Sequence, residues 1–416
     1  MRFSRNATRA ACLLFSLSAL AALDGCANKT SSSGGGSSSA GGPTPIVLGE
    51  YGSMTGAQAT FGSSTLNGCK LAIDEVNKAG GVDGHPLKLV SEDDEGKPDS
   101  ALTVVKKLIT RDKVTAIVGE VASKNTIAAA PFANTSKTPM VSPSSTNPKV
   151  TTIGPYIFRI CFIDPFQGFV AAKFATQTLH AKRAAILTDA TGDYSIGLSD
   201  AFNNAFTKFG GQVVTRQNYQ AVDPDFRAQL TAIKAVNPDV LFVPGYYNNV
   251  GVIAKQAREV GLTIPLMGGD GWESPILTQG AGFKKGAGGQ PDTPSALEGS
   301  YYTNHSAMDS PDPTIQNFVK TYKATYGGEV PGALPALGHD SVMIIVDAMR
   351  RAGKPEGGDY SSDAYRTKLR DALAATKNFK AVTGSITLDA NRNAIKPAVV
   401  LQIKGADAKY VATVNP

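Results

Sequence analysis

The feature that most constrains this chain is an alternation. Short β-type runs and helical runs follow one another from Pro45 to Met267. Ile46 to Gly49 predicts a strand. Thr65 to Ala79 predicts a helix, with Leu66, Cys69, Ile73 and Val76 on one face and Gly80-Gly81 as its stop. Leu87 to Val90 is a strand. Pro98 opens a helix in which Ala101, Val104, Val105, Leu108 and Ile109 recur at helical spacing. Val114 to Val118 is a strand, a helix begins near Ser123, and Met140-Val141 is a further short strand. A second set repeats the scheme. Its strands are Ala184–Leu187, Gln212–Thr215, Val240–Val243 and Ile264–Met267; its helices are Ser195–Phe209, Asp225–Val236 and Asn249–Val260. Such alternation means parallel sheets with helices on both faces. Two sets in 416 residues mean two doubly wound lobes, since single cores stop growing near roughly 250–300 residues.

Composition narrows the function. Lys+Arg 41 against Asp+Glu 35 leaves a net charge of only +6, and no basic stripe marks a nucleic-acid face. With four histidines and four cysteines, none at metal-ligand spacing, neither a metal nor a cofactor is expected.

The first residues read as an address. Arg2, Arg5 and Arg9 precede an apolar run from Ala10 to Leu23, too short for a membrane-spanning helix of about 20 residues. The run ends Leu23-Asp24-Gly25-Cys26, similar to a bacterial lipobox, with Asp24 atypical at its place. Residues 1–25 are therefore expected to be a lipoprotein signal peptide, with Cys26 lipidated. Residues 26–44 form a flexible Ser/Gly linker, spanning about 24 Å on average. The expected location is periplasmic or cell-surface, on a membrane through the lipid anchor only. Cys69, on a helical face, and Cys161, in an apolar run, are expected as buried thiols.

In open α/β sheets ligands bind beyond the carboxyl ends of strands. After Val118 stands Gly119-Glu120-Val121-Ala122-Ser123. Ser123 suits a helix N-cap, where free amides and the dipole attract a carboxylate; a plain structural cap explains it about as well. After Val141 comes the hydroxyl-rich turn Ser142 to Asn147. Tyr194 and Tyr246 follow two later strands and offer flat walls. Gly268-Gly269-Asp270-Gly271-Trp272 follows the last, with Asp270 available to pair with an ammonium. Together these meet the needs of an α-amino acid, which must be paired at both ends when buried.

In their order, these segments resemble the branched-chain amino-acid-binding proteins of ABC importers, the type I periplasmic binding fold. The likeness extends over residues 45–416 and includes Gly52-Ser53-Met54-Thr55-Gly56, Phe61-Gly62, Glu92-Asp93-Asp94 and Gly245-Tyr246. It implies a carboxylate site at Ala122-Ser123 and Thr146, an ammonium acceptor at the Ser144 carbonyl, aromatic contacts from Phe61, Tyr194 and Tyr246, and Asp270 where leucine-type members carry Glu. Trp272 is expected near the cleft. Phe61 stands where Tyr is common, and the places of a cysteine pair found in some members fall near Glu95 and Ala122.

The resemblance further implies a hinge crossed three times, near Ile163-Asp164, Tyr301-Tyr302 and Val382-Thr383. Lobe 1 is then 45–163 plus 302–382 and lobe 2 is 164–301 plus 383–416, with strands Ile386–Leu388 and Val399–Ile403 completing lobe 2 and an apolar helix around Ser341–Met349 returning to lobe 1. The expected role is an extracytoplasmic receptor that delivers a small amino acid to a permease/ATPase complex by open–closed motion, acting as a monomer. A ligand sensor for a signalling partner, or a receptor for an amide, urea or aromatic acid, remain alternatives. No dinucleotide, P-loop or nucleophile-elbow motif occurs, so catalysis is not expected.

Overall fold

The computed structural model describes residues 43–286 and 291–416. The expected signal peptide, Cys26 and nearly all of the linker lie outside these residues. No helix among the described residues is long and apolar enough to cross a membrane.

The first half of the fold is built from β1 (Ile46–Gly52), α1 (Ala59–Lys78), β2 (Leu87–Asp93), α2 (Pro98–Thr110), β3 (Ala116–Val118), α3 (Ser123–Thr135), β4 (Met140–Ser142), α4 (Lys149–Thr152) and β5 (Ile157–Arg159). Its five strands pair in parallel in the order β2-β1-β3-β4-β5. In α2, Pro98 sits where a missing N–H costs nothing and Ala101, Val105, Leu108 and Ile109 are buried. Helix α1 starts earlier than the expected Thr65 and so includes Phe61. Its Gly62 lies against the Ser53 backbone, where an added Cβ would come 2.4 Å from the carbonyl oxygen.

The second set is α5 (Asp164–Gln177), β6 (Arg183–Asp189), α6 (Asp193–Lys208), β7 (Gln212–Tyr219), α7 (Arg227–Ala235), β8 (Val240–Phe242), α8 (Tyr247–Glu259) and β9 (Leu266–Gly268). A 3-10 turn, Asp270–Trp272, then α9 (Leu277–Gly280), β10 (Lys284–Lys285), β11 (Pro291–Thr293) and β12 (Tyr301–Asn304) follow. After them come α10 (Pro313–Thr325), α11 (Ala333–Ala352), α12 (Asp363–Ala374), β13 (Phe379–Ala381), β14 (Gly384–Leu388), β15 (Ala394–Ile395), β16 (Ala398–Lys404) and β17 (Asp407–Val414). The larger sheet runs β17-β16-β12-β9-β8-β6-β7; β6, β7, β8, β9 and β12 are parallel, and β16 and β17 are antiparallel at one edge. The chain is thus α/β with parallel sheets. The long apolar helix α11 packs on α1 beside the five-stranded sheet.

Two expected passages between the sheets are displaced. Strand β12 stays paired with β16 through Asn304, so the chain leaves the larger sheet after that residue rather than at Tyr301-Tyr302. Strand β14 does not join the larger sheet; it pairs with β13 and β15 in a separate antiparallel sheet. Just before it, Asp340 of α11 holds the chain to the first half of the fold, its carboxylate accepting from the amides of Val382 and Thr383 at 2.8 and 2.9 Å. The following turn also remains with the first sheet, where the Arg159 amide donates to the Arg392 carbonyl. The chain rejoins the larger sheet only at β16. Cys69 and Cys161 are both buried free thiols.

Candidate functional site

The carboxyl ends of the two sheets face each other, and the segments that follow the strands meet between them. On the first side, β3 leads into α3. Ser123 is the first helical residue and Ala122 occupies the N-cap, so the expected capping role of Ser123 is not realised. No side chain caps α3; Glu120 instead braces the approach to it, its carboxylate accepting from the Ala122 amide and its own amide donating to Thr126 Oγ1 at 3.1 Å. The Ser123 hydroxyl accepts from the Asn147 amide at 3.3 Å and so ties α3 to the neighbouring turn. In the first turn of α3 the Asn125 amide donates to the Ala122 carbonyl at 3.0 Å, and the turn forms the positive end of the helix dipole.

The turn after β4 divides its hydroxyls by direction. Ser142 and Ser145 both donate to the Glu120 carbonyl, at 2.8 and 2.7 Å. Arg159, buried, donates to the Ser145 carbonyl at 2.6 Å. The two remaining hydroxyls belong to the cleft. Ser144 donates to Asp270 Oδ2 at 3.0 Å, and Thr146 Oγ1 is buried with no partner among the described residues.

Beneath this turn lies a buried acidic layer. Ser53 Oγ is 2.9 Å from Glu120 Oε1 and 3.2 Å from Asp94 Oδ1. One hydroxyl proton cannot serve two carboxylates. Burial and the charge of Asp94 hold the Glu120 carboxyl well above the usual range, and burial pushes Asp94 up to about 6.

On the second side, Tyr194 at the start of α6 and Tyr246 before α8 stack with centroids 5.1 Å apart and planes 14° apart. Phe61 of α1 reaches across and meets Tyr246 and Tyr247 edge-on at 5.5 and 5.0 Å. Tyr247 OH accepts from the Thr60 amide at 3.3 Å, and the hydroxyls of Thr60 and Ser274 are 3.0 Å apart. Lys149 pairs with Asp193 at 3.0 Å, adding a half-exposed contact of small energetic weight. The glycines around Asp270 let backbone and rings touch. A Cβ on Gly269 would fall 2.4 Å from Tyr194 OH, and one on Gly271 would fall 3.0 Å from the Tyr246 ring. The Gly271 amide donates to Tyr194 OH at 3.0 Å.

Asp270 sits at the centre, 7% exposed. Gln167 Nε2 donates to its Oδ1 at 2.9 Å, and His305 Nε2 lies 3.0 Å from its Oδ2. Burial opposes its ionisation, but the hydrogen bond and charge of His305, helped by Gln167 and Tyr194, hold the carboxyl below the ordinary range. Asp164, at the start of α5, behaves in the opposite way. No group meets its oxygens with full hydrogen-bond geometry among the described residues; burial, helped by the charge of Asp270 and opposed by the nearby Thr146 hydroxyl and the Arg159 charge, pushes it up to about 8.

Phe61, Ser144, Tyr194, Tyr246 and Asp270 therefore converge, with Ala122, Ser123 and Thr146 on the facing turns. Trp272 does not join them. It is fully buried in the second side, its Nε1 donates to the Val243 carbonyl at 2.9 Å, and its ring packs over Gly268 and stacks on Tyr302. Sequence reasoning missed Gln167, His305, Asp164 and Glu120. Glu120 stands in the segment after Val118 that the carboxyl-end rule brings forward, where Ser123 is singled out instead; His305 follows β12, where the same rule would have found it. Gln167 lies on α5, which buries Val170, Ala171, Ala172, Phe174 and Ala175 and is apolar on nearly every side, so no helical period marks it. Among the described residues no group of His, Cys, Asp or Glu could hold a metal ion.

The family model described as periplasmic binding protein matches residues 45–409. A protein named amino acid binding protein, from Pseudomonas aeruginosa, is 35% identical over 238 residues, 57% of this chain and 63% of that one. The chain thus spans less than two thirds of that relative's length in the match. The crystal structure of a leucine binding protein, LivK, from Thermotoga maritima superposes with a TM-score of 0.80 at 37% identity, covering 89% of this chain and 99% of that one. A solute binding protein from R. palustris in complex with benzoate shares the fold, with a TM-score of 0.77 at 21% identity over 89% of this chain and 97% of that one.

Proposed function

Because the chain belongs to the periplasmic binding protein family, a family that binds solutes and does not catalyse, we propose that it is an extracytoplasmic receptor of an ABC importer that captures a small amino acid between its lobes. The observation that carries this reading is Asp270. An ionised carboxylate, buried between aromatic walls and facing hydroxyls from the opposite side, suits an ammonium. The α3 amides, with Ser123 and Thr146, suit the ligand's carboxylate. The stacked Tyr194 and Tyr246, closed by Phe61, suit its side chain. Named relatives support an amino acid: one is named amino acid binding protein and another leucine binding protein.

The ligand would replace the direct Ser144–Asp270 contact by bonds to both sides. Binding then shifts the open–closed equilibrium by the difference between its contacts in the two states. A permease/ATPase complex would read the closed form. In this reading residues 1–25 are a signal peptide, Cys26 carries lipid, and residues 26–44 tether the receptor to a membrane surface.

One observation favours a second reading. Asp270 already accepts from or faces Gln167, Ser144 and His305, so most of its acceptor sites are filled without an ammonium. An aromatic acid, with its carboxylate on α3 and its ring against Tyr194 and Tyr246, also fits. A thermal-shift screen over amino acids and benzoates separates the two, since a tight binder raises the melting point by mass action. A rise with amino acids alone supports the first reading, and a rise with benzoates alone supports the second.

A further inference from the structure

Asp270 is held by a residue that the receptor reading does not use. His305 follows β12, and its side chain is 1% exposed. Its Nε2 lies 3.0 Å from Asp270 Oδ2 and 3.2 Å from Ser144 Oγ. Its ring stacks on Phe162 at 4.0 Å with planes 27° apart, which fixes its orientation. Its backbone amide donates to the Asn304 side chain at 2.8 Å. Its Nδ1 is buried and has no partner among the described residues. Phe162 precedes α5 and His305 follows β12, so the stacked pair sits where two chain segments pass between the sheets.

We propose that His305 is a positioning residue of the cleft: it aims the shortened Asp270 carboxylate, and it links capture of a cationic ligand to the proton on its own ring. The inference rests on the receptor reading. The chemistry is a competition. A carboxylate has about four lone-pair sites, and Gln167, Ser144 and His305 fill three of them. A neutral ring with its proton on Nε2 donates to Asp270 and leaves the carboxylate charge free to attract an ammonium. A ring that also carries a proton on Nδ1 is a resident cation on the same oxygen, and cancels that charge. Ligand and second proton therefore exclude one another.

The groups that face the ring set where it titrates. Asp270 touches it and favours the second proton. Lys396 opposes it; that ammonium donates to the Thr383 hydroxyl at 2.6 Å. Asp164, on α5, and Tyr194, on α6, bear on Asp270 rather than on the ring. Burial, helped by Lys396, outweighs Asp270 and keeps the ring below the ordinary imidazole range. The site is thus competent at neutral pH and closes to cations as the solution acidifies.

The test uses calorimetry with L-leucine, L-valine and L-alanine between pH 4 and 8, on the wild type and on His305→Gln. The Gln amide keeps a donor for Asp270 but takes no proton. The wild type is expected to lose affinity as pH falls below the ring's titration, approaching about tenfold per unit for one linked proton. His305→Gln is expected to bind more weakly than the wild type at pH 7.5, because it aims Asp270 less firmly, and to show a flat profile across the whole range. A wild-type profile that is already flat, or a variant that keeps the slope, overturns the proposal. Nitrogen NMR of the ligand-free protein supplies the second arm. A neutral ring protonated on Nε2, whose titration moves further down in Asp270→Asn, supports it; a proton on Nδ1 overturns it. If none of the three amino acids binds at pH 7.5, the amino-acid reading fails, and the ligand-free spectra still judge His305.

Discussion

Glu273 and Ala333 are joined by a 3.0 Å hydrogen bond from the Ala333 amide to the Glu273 carboxylate. The bond pins the segment after β9 to the first turn of α11, which packs on α1. The same carboxylate accepts from Tyr302 OH at 3.1 Å and from Asn304 Nδ2 at 2.5 Å. It therefore satisfies a free helix amide and two buried side chains at once.

Glu273→Ala leaves those donors without a partner. Buried orphan donors cost about 1–3 kcal/mol each, part of which water recovers. We expect Glu273→Ala to lower unfolding stability by about 2–4 kcal/mol in urea titrations. Glu273→Gln, which keeps one acceptor, is expected to lose less.

Phe61 closes the aromatic wall from the opposite side and is fully buried. Phe-to-Ala changes in cores cost about 3–5 kcal/mol. Here the rings it touches, Tyr246 and Tyr247, lie across the cleft. Part of the loss therefore falls on closure rather than on folding. We expect Phe61→Ala to raise the ligand-free radius of gyration in small-angle scattering. Its melting point should fall less than for Phe202→Ala, a core change remote from the cleft.

Buried acids set the pH response of the fold. Burial raises Glu50 from 4.5 to about 8 and Asp164 from 3.8 to about 8. Both are protonated in the native state where the unfolded chain is ionised, so the native state binds more protons across that window. Stability from these groups is complete below about pH 4 and is lost as pH rises to about 8. His339, raised to about 9, adds a loss of the same sign above 6.5. Lys396, lowered to about 8, acts oppositely above that pH. The melting point is expected to fall from pH 5 to pH 8 in calorimetric scans. Glu50→Gln, neutral at every pH, is expected to flatten that fall.

The architecture was legible because it rests on patterns that one strand or helix carries by itself. The spacing of Ala101, Val105 and Leu108 marks α2, and Gly80-Gly81 marks the end of α1. The post-strand rule led to Ser144, Tyr194, Tyr246 and Asp270 for the same reason. Other parts depend on contacts between distant segments. Asp340 holds Val382 and Thr383, and no local pattern announces that β14 stays off the larger sheet. The glycines around Asp270 signalled a close approach, but not that Tyr194 and Tyr246 are what approaches. Trp272 follows Asp270 by two residues, yet the 3-10 turn sends it into the core to meet the Val243 carbonyl.

Ligand capture is expected to depend above all on the charge of Asp270. Isothermal titration of the wild type and of Asp270→Ala with a panel of amino acids at pH 7.5 tests it most directly. A micromolar binder corresponds to about −8 kcal/mol. We expect at least one amino acid to bind the wild type with one-to-one stoichiometry. Asp270→Ala, folded by circular dichroism, is expected to bind it at least a hundredfold more weakly. Undiminished affinity in Asp270→Ala would contradict the account.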